Sequence, residues 1–253
     1  MGQNNPKVTV VIASFNAASC IAAALDSVCR LAYDDWECVV VDGASTDGTM
    51  DIVRDYAARN PRIRFVSERD NGIYDAFNKG WRMARGEYIY YLGADDLLYP
   101  DCFSKCFAKP STADVIYGDV AYRTGDIIFQ SPTHHQPDRL RRAALCSHQA
   151  MLMRRDAIER LGGFDEQYVI TADFDLMQRT YLNHCTYEWV DVVFGIHDIG
   201  GVSGSYGAEV DCYRVRRNNR SVSTVSNWLY TTYTFYMRFR SNMVYKLKRA
   251  LKE

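Results

Sequence analysis

The sequence predicts an α/β fold, built on a mostly parallel sheet with helices packed against it. Continuous apolar, β-branched runs such as Val8–Ser14 are typical of strands that are buried on both faces. These runs alternate with segments of helical period, which indicates βαβ units. The chain has 253 residues, 47% of them hydrophobic, so it can form one large domain with a sizeable core.

The predicted elements follow one another closely in the first half of the chain. The predicted strands are, in order, residues 8–14, 37–41, 63–66, 88–92 and 114–117. Apolar residues at helical spacing separate them at 21–28, 50–56 and 77–84. Thr46 or Asp47 is expected to cap the second of these helices. After residue 120 the alternation weakens, and we expect irregular α+β structure attached to the same sheet.

The charge is distributed unevenly along the chain. The net charge is −1, yet residues 205–253 hold ten Lys and Arg against three Asp and Glu. The acidic body would repel phosphates, so nucleic acid is not an expected partner. Residues 228–253 interleave aromatic and basic side chains, which suits a helix lying on an anionic membrane. Packing of this helix on the body or on a second subunit is the alternative.

Cysteine usage and the chain's first residues indicate a cytoplasmic protein. The eight cysteines include no CxxC pair, which is typical of thiols in a reducing compartment. The first residues lack the basic and apolar regions of a signal peptide. No apolar run is long enough to span a bilayer. The expected location is therefore the cytoplasm, with peripheral contact at the inner face of the membrane.

The most informative stretch is Gly93-Ala94-Asp95-Asp96, which directly follows the apolar strand at 88–92. Adjacent carboxylates in such a place are unfavourable unless something cationic meets them. A divalent metal carrying a diphosphate is one such partner, and a turn followed by a helix cap is the alternative. Polar clusters also follow other strands, at 14–16, 42–43 and 68–71. Ligands of parallel sheets bind beyond this edge.

Several common enzyme classes are disfavoured. The chain has no GxGxxG after its first strand and no GxxxxGK[ST], so a dehydrogenase or a P-loop enzyme is not indicated. Ser203 and Ser205 lack a His–Asp pattern, which disfavours a serine hydrolase.

Five motifs in order resemble one family. They are residues 10–16 (VVIASFN), 39–49 (VVVDGASTDGT), 70–80 (DNGIYDAFNKG), 84–96 (ARGEYIYYLGADD), and 161–166 (LGGFDE) followed by 171–176 (TADFDL). Together they resemble the family 2 inverting glycosyltransferases of the GT-A fold, of the bacterial surface-polysaccharide type. The resemblance covers about residues 7–205.

The resemblance implies a binding site for a nucleotide sugar. Ser14 and Asn16 would lie in the nucleotide pocket, and Asp42 would accept a hydrogen bond from the base. The residues implied to line the nucleotide and donor-sugar site are Asp70, Asn71 and Lys79. A turn role for Asp42 and a solvated helix position for Lys79 are the alternatives.

The resemblance also implies a metal site for Mn²⁺ or Mg²⁺. Asp96 would bind the ion directly, Asp95 would lie near the ribose or the diphosphate, and His197 could complete the metal shell. An exposed loop position is the alternative for His197. The family often has a further Asp where this chain has Gly93, so fewer carboxylates are present here.

Asp173 matches the family's general base. An inverting transfer needs one carboxylate beside the acceptor hydroxyl to take its proton. The family often has Glu-Asp where this chain has Ala172-Asp173, and Asp175 is the second candidate base. Stabilisation of a helix N-terminus by both carboxylates is the alternative. The resemblance also places His148-Gln149 near a sugar, and Gly200–Ser203 in a loop over the active site.

The sequence thus predicts a metal-dependent inverting glycosyltransferase. The expected donor is a UDP-sugar, and the expected acceptor is a hydroxyl of a glycan or lipid-linked glycan in polysaccharide or cell-envelope biosynthesis. The predicted division is a GT-A domain at 1–204, with a nucleotide-binding half at about 7–100 and an acceptor half at about 101–204, and a basic aromatic extension at 205–253. A sugar nucleotidyltransferase and a non-catalytic nucleotide-sugar-binding protein are the alternatives.

Overall fold

The computed structural model describes residues 5–130, 133–198 and 205–250, with the side chains of 241–242 and 244–250 left aside. The strands are β1 (Val8–Ser14), β2 (Trp36–Asp42), β3 (Ile63–Ser67), β4 (Tyr88–Gly93), β5 (Leu97–Leu98), β6 (Val115–Thr124), β7 (Ile127–Gln130), β8 (Met151–Arg154) and β9 (Tyr187–Asp198). The α-helices are α1 (Ile21–Cys29), α2 (Thr49–Arg59), α3 (Ile73–Met83), α4 (Cys102–Cys106), α5 (Arg155–Leu161), α6 (Ala172–Leu182), α7 (Tyr206–Asn218) and α8 (Thr224–Ala250). Two short 3-10 helices cover Pro137–Arg141 and His148–Ala150.

The strands form one sheet in the order β3-β2-β1-β4-β8-β6-β9-β5, and β7 pairs with β6. The first four strands along this order are parallel to one another. The carboxyl ends of β1, β2, β3 and β4 therefore share one edge, as the sequence predicts. Strand β8 runs antiparallel to both β4 and β6, so the second half of the chain extends the same sheet in a mixed pattern. The predicted α/β fold is confirmed.

Some boundaries differ from the predicted ones. Helix α2 begins at Thr49, and the position before it is Gly48, whose positive φ of 93° favours glycine. Neither Thr46 nor Asp47 is the cap residue, although the Asp47 carboxylate accepts from the Thr49 amide at 3.1 Å. The strand predicted at 114–117 runs on to Thr124. The predicted weakening after residue 120 therefore falls inside β6, which is one of the longest strands.

The sheet has a packed core on each face, and β4 shows how the strand pleat divides them. Tyr88 and Tyr90 belong to the core under α1 and α4, while Ile89 and Tyr91 belong to the core under α3 and α6. Successive side chains of a strand point to opposite faces, so Gly93 lies on the same face as Tyr91. All eight cysteines are free thiols.

Helix α8 is fixed to the body by a buried arginine. Arg216 of α7 is 2% exposed, and its guanidinium donates to Asn227 at 2.7 Å, to Thr231 at 2.9 Å and to the Arg142 carbonyl at 2.9 Å. Burial lowers the pKa of Arg216. Val215 of the same helix belongs to the core on the α6 face. Helix α7 thus packs into the same core as the sheet, and the predicted domain boundary at 204 stays a prediction.

Replacing Arg216 should destabilise the protein strongly. Arg216→Ala would leave three acceptors unpaired, of which the Asn227 oxygen belongs to a buried residue, and we expect a loss of about 3 kcal/mol in the free energy of unfolding. Arg217→Ala, at an exposed neighbouring position, is the control and should change little. Urea denaturation measures both, and equal midpoints for the two variants would contradict this role of Arg216.

Candidate active site

Asp96 lies at the centre of the site and is almost completely buried, at 2% exposed. Its Oδ1 accepts from His197 Nδ1 at 3.0 Å and from the Asp198 amide at 3.0 Å. Its Oδ2 faces the Gly93 amide and the Gln149 side-chain amide, each at 3.3 Å. One carboxylate therefore joins the end of β4 to the end of β9 and to the 3-10 helix at 148–150.

Asp95 and Asp96 converge over Gly93. A Cβ placed on Gly93 would stand 2.5 Å from Asp96 Oδ2 and 2.9 Å from Asp95 Oδ1. Such distances exclude any side chain at position 93 in this arrangement, including the further Asp that the resemblance led us to consider. The pKa of Asp95 is raised by burial and then by the charge of Asp96. A cation at this place would relieve that repulsion.

His197 lies at the end of β9 beside both carboxylates. Burial lowers the pKa of His197, but its hydrogen bond to Asp96 and the charges of Asp96 and Asp95 raise it more, so the net shift is upward. The Nδ1 hydrogen bond to Asp96 leaves Nε2 without a hydrogen bond to any described residue. Asp198 next to it forms an ion pair with Arg123, which holds the end of β9 against β6.

The donor set fits a divalent metal that is shared with a substrate. In the part of the chain that the structure describes, no group of three or more His, Cys, Asp or Glu side chains is arranged to hold an ion by itself. Mg²⁺ is usually bound through one or two carboxylates together with substrate phosphates. Asp95 and Asp96, which face the space above Gly93, match that pattern. His197 offers one further nitrogen.

Asp42 forms a second buried centre, at the ends of β1, β2 and β3. It is fully buried, and its carboxylate accepts from Ser14 at 3.1 Å, from the Ser45 amide at 2.9 Å and from Ser67 at 2.7 Å. The Ser45 hydroxyl donates to it as well. These bonds hold the loops after three parallel strands together. Ser14 lies at the end of β1, and its hydroxyl donates to the Asp42 carboxylate.

The surface above Asp42 carries a residue that the sequence reasoning missed. Phe15 follows β1 and is 66% exposed. A Cβ on Gly43 would stand 2.8 Å from Asp70 Oδ2 and 3.2 Å from the Phe15 ring, so the backbone, the carboxylate and the ring meet here. Asn16 adopts a positive φ of 49° and links the two loops, because its Oδ1 accepts from the Thr46 amide. The sequence did carry a signal for Phe15, because an aromatic residue stands there between the polar residues Ser14 and Asn16.

Lys79 and Asn71 are turned towards the loop before α3. Lys79 Nζ pairs with Glu68 at 3.0 Å and donates to the Arg69 carbonyl at 2.9 Å. The Asn71 amide donates to Asp75 at 3.0 Å. In this structure Lys79 braces the loop that carries Asp70 and Asn71. Its predicted contact with the donor sugar stays a prediction.

The two candidate bases at the start of α6 have different surroundings. Asp175 is buried, and its oxygens accept from Arg179 Nε at 2.7 Å and from the Asn219 amide at 2.9 Å. The Oδ1 of Asp173 accepts from Tyr74 at 3.1 Å and from the Phe174 amide at 2.8 Å. Within the described residues nothing donates to its Oδ2. Asp173 therefore has an oxygen available for a proton, whereas Asp175 is engaged in the core.

A cleft of about 520 Å³ brings the two sides of the site together. Its walls include Gly93, His197 and Asp173. His148 and Tyr91 stack in the wall, with ring centroids 5.0 Å apart. Ser14, Asn16, Asp42 and Asp70 lie outside the cleft, at the neighbouring strand ends. The loop Gly200–Ser203, which the resemblance places over the active site, lies outside the described residues.

Two buried polar atoms in the cleft wall have no hydrogen-bond partner in the described part of the chain. They are Nε2 of His148 and the Tyr91 hydroxyl oxygen. Burial lowers the pKa of His148, so the imidazole is neutral at pH 7. Unpaired buried groups are rare in folded proteins and cost stability. Their presence beside the cleft is typical of a functional region.

Solved structures place this architecture among the GT-A glycosyltransferases. The fold matches S. aureus TarS 1-349 in complex with UDP-GlcNAc at a TM-score of 0.70 and 20% identity, over 84% of this chain and 65% of that one. It also matches the mannosyltransferase PcManGT from Pyrobaculum calidifontis, in complex with GDP-Man and Mn²⁺, at a TM-score of 0.61 and 24% identity, over 85% and 61%. The chain spans just under two thirds of these two solved chains, and 39% of the longer solved chain of S. aureus TarS.

The sequence comparisons show the family. Residues 9–162 match "Glycosyl transferase family 2". A "PGL/p-HBAD biosynthesis glycosyltransferase" of Mycobacterium bovis is 33% identical over 207 residues, 79% of this chain and 80% of that protein. The chondroitin synthase of Escherichia coli is 31% identical over 179 residues, 68% of this chain but 26% of that protein. The chain belongs to glycosyl transferase family 2 and is a glycosyltransferase, so the alternatives of a nucleotidyltransferase and a non-catalytic binding protein are set aside.

Removing the unpaired Tyr91 hydroxyl should not weaken the fold. We expect Tyr91→Phe to leave the free energy of unfolding within about 0.5 kcal/mol of the parent, or to raise it. Tyr88→Phe, three residues earlier in the same strand, is the matched control. It loses the bond from its hydroxyl to the Ala113 carbonyl at 2.9 Å and should cost about 1 kcal/mol. If urea denaturation shows that both variants lose the same free energy of unfolding, the Tyr91 hydroxyl has a hydrogen-bond partner and the prediction is wrong.

Proposed function

We propose that the protein transfers a sugar from a nucleotide sugar, with inversion, to a hydroxyl of a glycan or lipid-linked glycan. The observation that carries the proposal is the convergence of Asp95 and Asp96 over Gly93, which lines a cleft whose wall also contains Asp173. A UDP-sugar is the proposed donor, which the likeness to TarS in complex with UDP-GlcNAc supports. The mycobacterial relative is named for PGL/p-HBAD biosynthesis, and for this chain the proposed acceptor belongs to polysaccharide or cell-envelope biosynthesis.

The nucleotide is proposed to lie over the ends of β1 and β2. Phe15 offers an exposed ring against which a base can stack, and Asp70 lies beside it for polar contacts. The buried Asp42 carboxylate stabilises the loop after β2 through its bond with the Ser45 amide. Asn16 connects this loop with the one after β1, because its Oδ1 accepts from the Thr46 amide. The diphosphate would then extend towards Asp95 and Asp96 at the end of β4, the next strand along the sheet.

The proposed chemistry is a single displacement with Asp173 as the base. Tyr74 and the Phe174 amide hold Oδ1 of Asp173, which leaves Oδ2 to take the proton of the acceptor hydroxyl as the new bond forms. Asp95 and Asp96, with His197, would hold a Mn²⁺ or Mg²⁺ ion. When bound, such an ion stabilises the negative charge that gathers on the departing diphosphate. The hydrogen bonds of the buried Asp96 hold the end of β4 against the end of β9 and the 3-10 helix at 148–150.

Replacing the proposed base should separate chemistry from folding. Asp173→Asn should lower kcat by about 10²- to 10⁴-fold and leave the melting temperature and nucleotide binding nearly unchanged. Asp175→Asn is the control, since it weakens a buried ion pair and should lower the melting temperature while retaining the chemistry. If kcat falls in Asp175→Asn and stays unchanged in Asp173→Asn, the general base is Asp175 and the assignment of Asp173 is wrong.

The metal site is tested through binding of the nucleotide. Addition of Mn²⁺ to the protein with UDP should raise the melting temperature above the value with UDP alone, because the ion binds the folded state. Asp95→Asn, at an exposed position, should abolish most of that extra rise without changing the melting temperature of the free protein. Asp96→Ala should abolish it too, but with a loss of stability. A full Mn²⁺ response in Asp95→Asn would contradict the assignment of Asp95.

Contact with an anionic membrane through residues 228–253 is proposed as well. Within the described residues, no helix is long and apolar enough to cross a membrane. Arg238 of this segment pairs with Glu209 of α7 at 2.8 Å, so its charge is compensated. The side chains of Lys246, Lys248 and Arg249, together with residue Lys252, lie outside the described part. Arg240 of the same segment is exposed, and neighbouring elements add further positive charge for such a contact.

A further inference from the structure

Three arginines lie beside the start of α8, in and just after the 3-10 helix at Pro137–Arg141. Arg139, Arg141 and Arg142 line a hollow of about 600 Å³ whose wall also includes the start of α8. A neighbouring hollow of about 460 Å³ is lined by Arg142 together with Leu229 and Tyr233 of α8. We call the three arginines and the exposed face of α8 the arginine–α8 surface.

The arginines of this surface carry uncompensated charge. Within the described residues, none of the three forms an ion pair. Arg139 Nε donates to the Ala144 carbonyl at 3.0 Å, and Arg141 Nε donates to the Tyr181 hydroxyl at 3.2 Å. These bonds fix the two side chains, and both residues are exposed. Asp138 is the one acidic residue that lines the hollow, so the local charge is positive.

The α8 part of the surface is apolar and exposed. The side chains at successive turns of the helix are each more than half exposed: Val225, Trp228, Leu229, Tyr233 and Tyr236. A contiguous exposed apolar face of this kind marks an interaction site. The buried Arg216 fixes α8 in place and binds the Arg142 carbonyl, so the aromatic face and the arginines are held side by side.

We propose that the arginine–α8 surface docks on an anionic membrane. The arginines would bind lipid phosphates, for which the guanidinium fork is well suited. The aromatic and aliphatic side chains of α8 would lie at the headgroup level, as in other in-plane helices. A symmetric dimer through this surface is disfavoured, because a two-fold axis would bring the arginines of both copies together with little acidic compensation.

The surface lies next to the cleft, which connects membrane docking with the proposed acceptor. Arg142 stands two residues before Ala144, and Ala144 and Leu145 line the cleft. Arg139 holds the Ala144 carbonyl directly. A docked bilayer would therefore present a lipid-linked glycan close to Asp173. This connection rests on the proposed function, and the docking itself extends the membrane contact proposed there for residues 228–253.

Vesicle flotation with the full chain tests the proposal. The vesicles contain phosphatidylcholine alone or with phosphatidylglycerol, at low and at high salt. We expect binding to the anionic vesicles that weakens at high salt. Arg141→Gln/Arg142→Gln should weaken it about 30-fold, or about fivefold for each arginine. The control Arg54→Gln/Arg59→Gln removes the same charge from α2, where both arginines pair with aspartates, and should change the binding little.

A second pair of variants tests the apolar part. Leu229→Gln/Tyr233→Gln should also reduce vesicle binding, with an unchanged melting temperature because both side chains are exposed. Equal binding to neutral vesicles, or an equal loss in the α2 control, would overturn the proposal. So would a stable dimer that these substitutions dissociate while no vesicle binding is found. Hydrolysis of the nucleotide sugar in solution is measured in parallel, so loss of the proposed function is distinguished from loss of docking.

Discussion

The buried carboxylate of Asp96 is the interaction on which the rest of the site depends. It accepts from His197, from the Asp198 amide and from Gln149, which belong to two different segments of the second half of the chain. A carboxylate removed from water is unfavourable unless its oxygens are hydrogen-bonded. The folded state therefore satisfies Asp96 only when the ends of β4 and β9 and the 3-10 helix at 148–150 meet. Their meeting is what encloses the cleft.

Asp42 repeats the same arrangement in the nucleotide half. It too is fully buried, and serine hydroxyls and an amide from the loops after β1, β2 and β3 surround it. In both halves a buried carboxylate holds loops together, while a more exposed one stands above it: Asp70 near Asp42, and Asp95 near Asp96. In each half the buried carboxylate keeps the geometry, and the more exposed one adds a second acidic group on the side where a ligand would bind.

Much of the fold could be predicted from the sequence, because it follows from local patterns. The apolar runs predicted β1 to β4, and the polar residues after them fell at one sheet edge, as parallel strands require. The long-range pairings could not be predicted. Nothing near Asp175 in the sequence reveals that Asn219 binds it, and residues 139–142 give no sign of lying beside α8. The choice between Asp173 and Asp175 depended on such a distant partner.

Gly93 shows how the absence of a side chain shapes the chemistry of this site. A third carboxylate at that position would occupy the space into which Asp95 and Asp96 point. With Gly93, two carboxylates share that space, and the remaining ligands of an ion must come from His197, from water and from the diphosphate of the donor. Binding of the ion and of the donor then strengthen each other by the same factor, because linkage is reciprocal. A site with fewer carboxylates would therefore favour an ion that binds together with the nucleotide sugar.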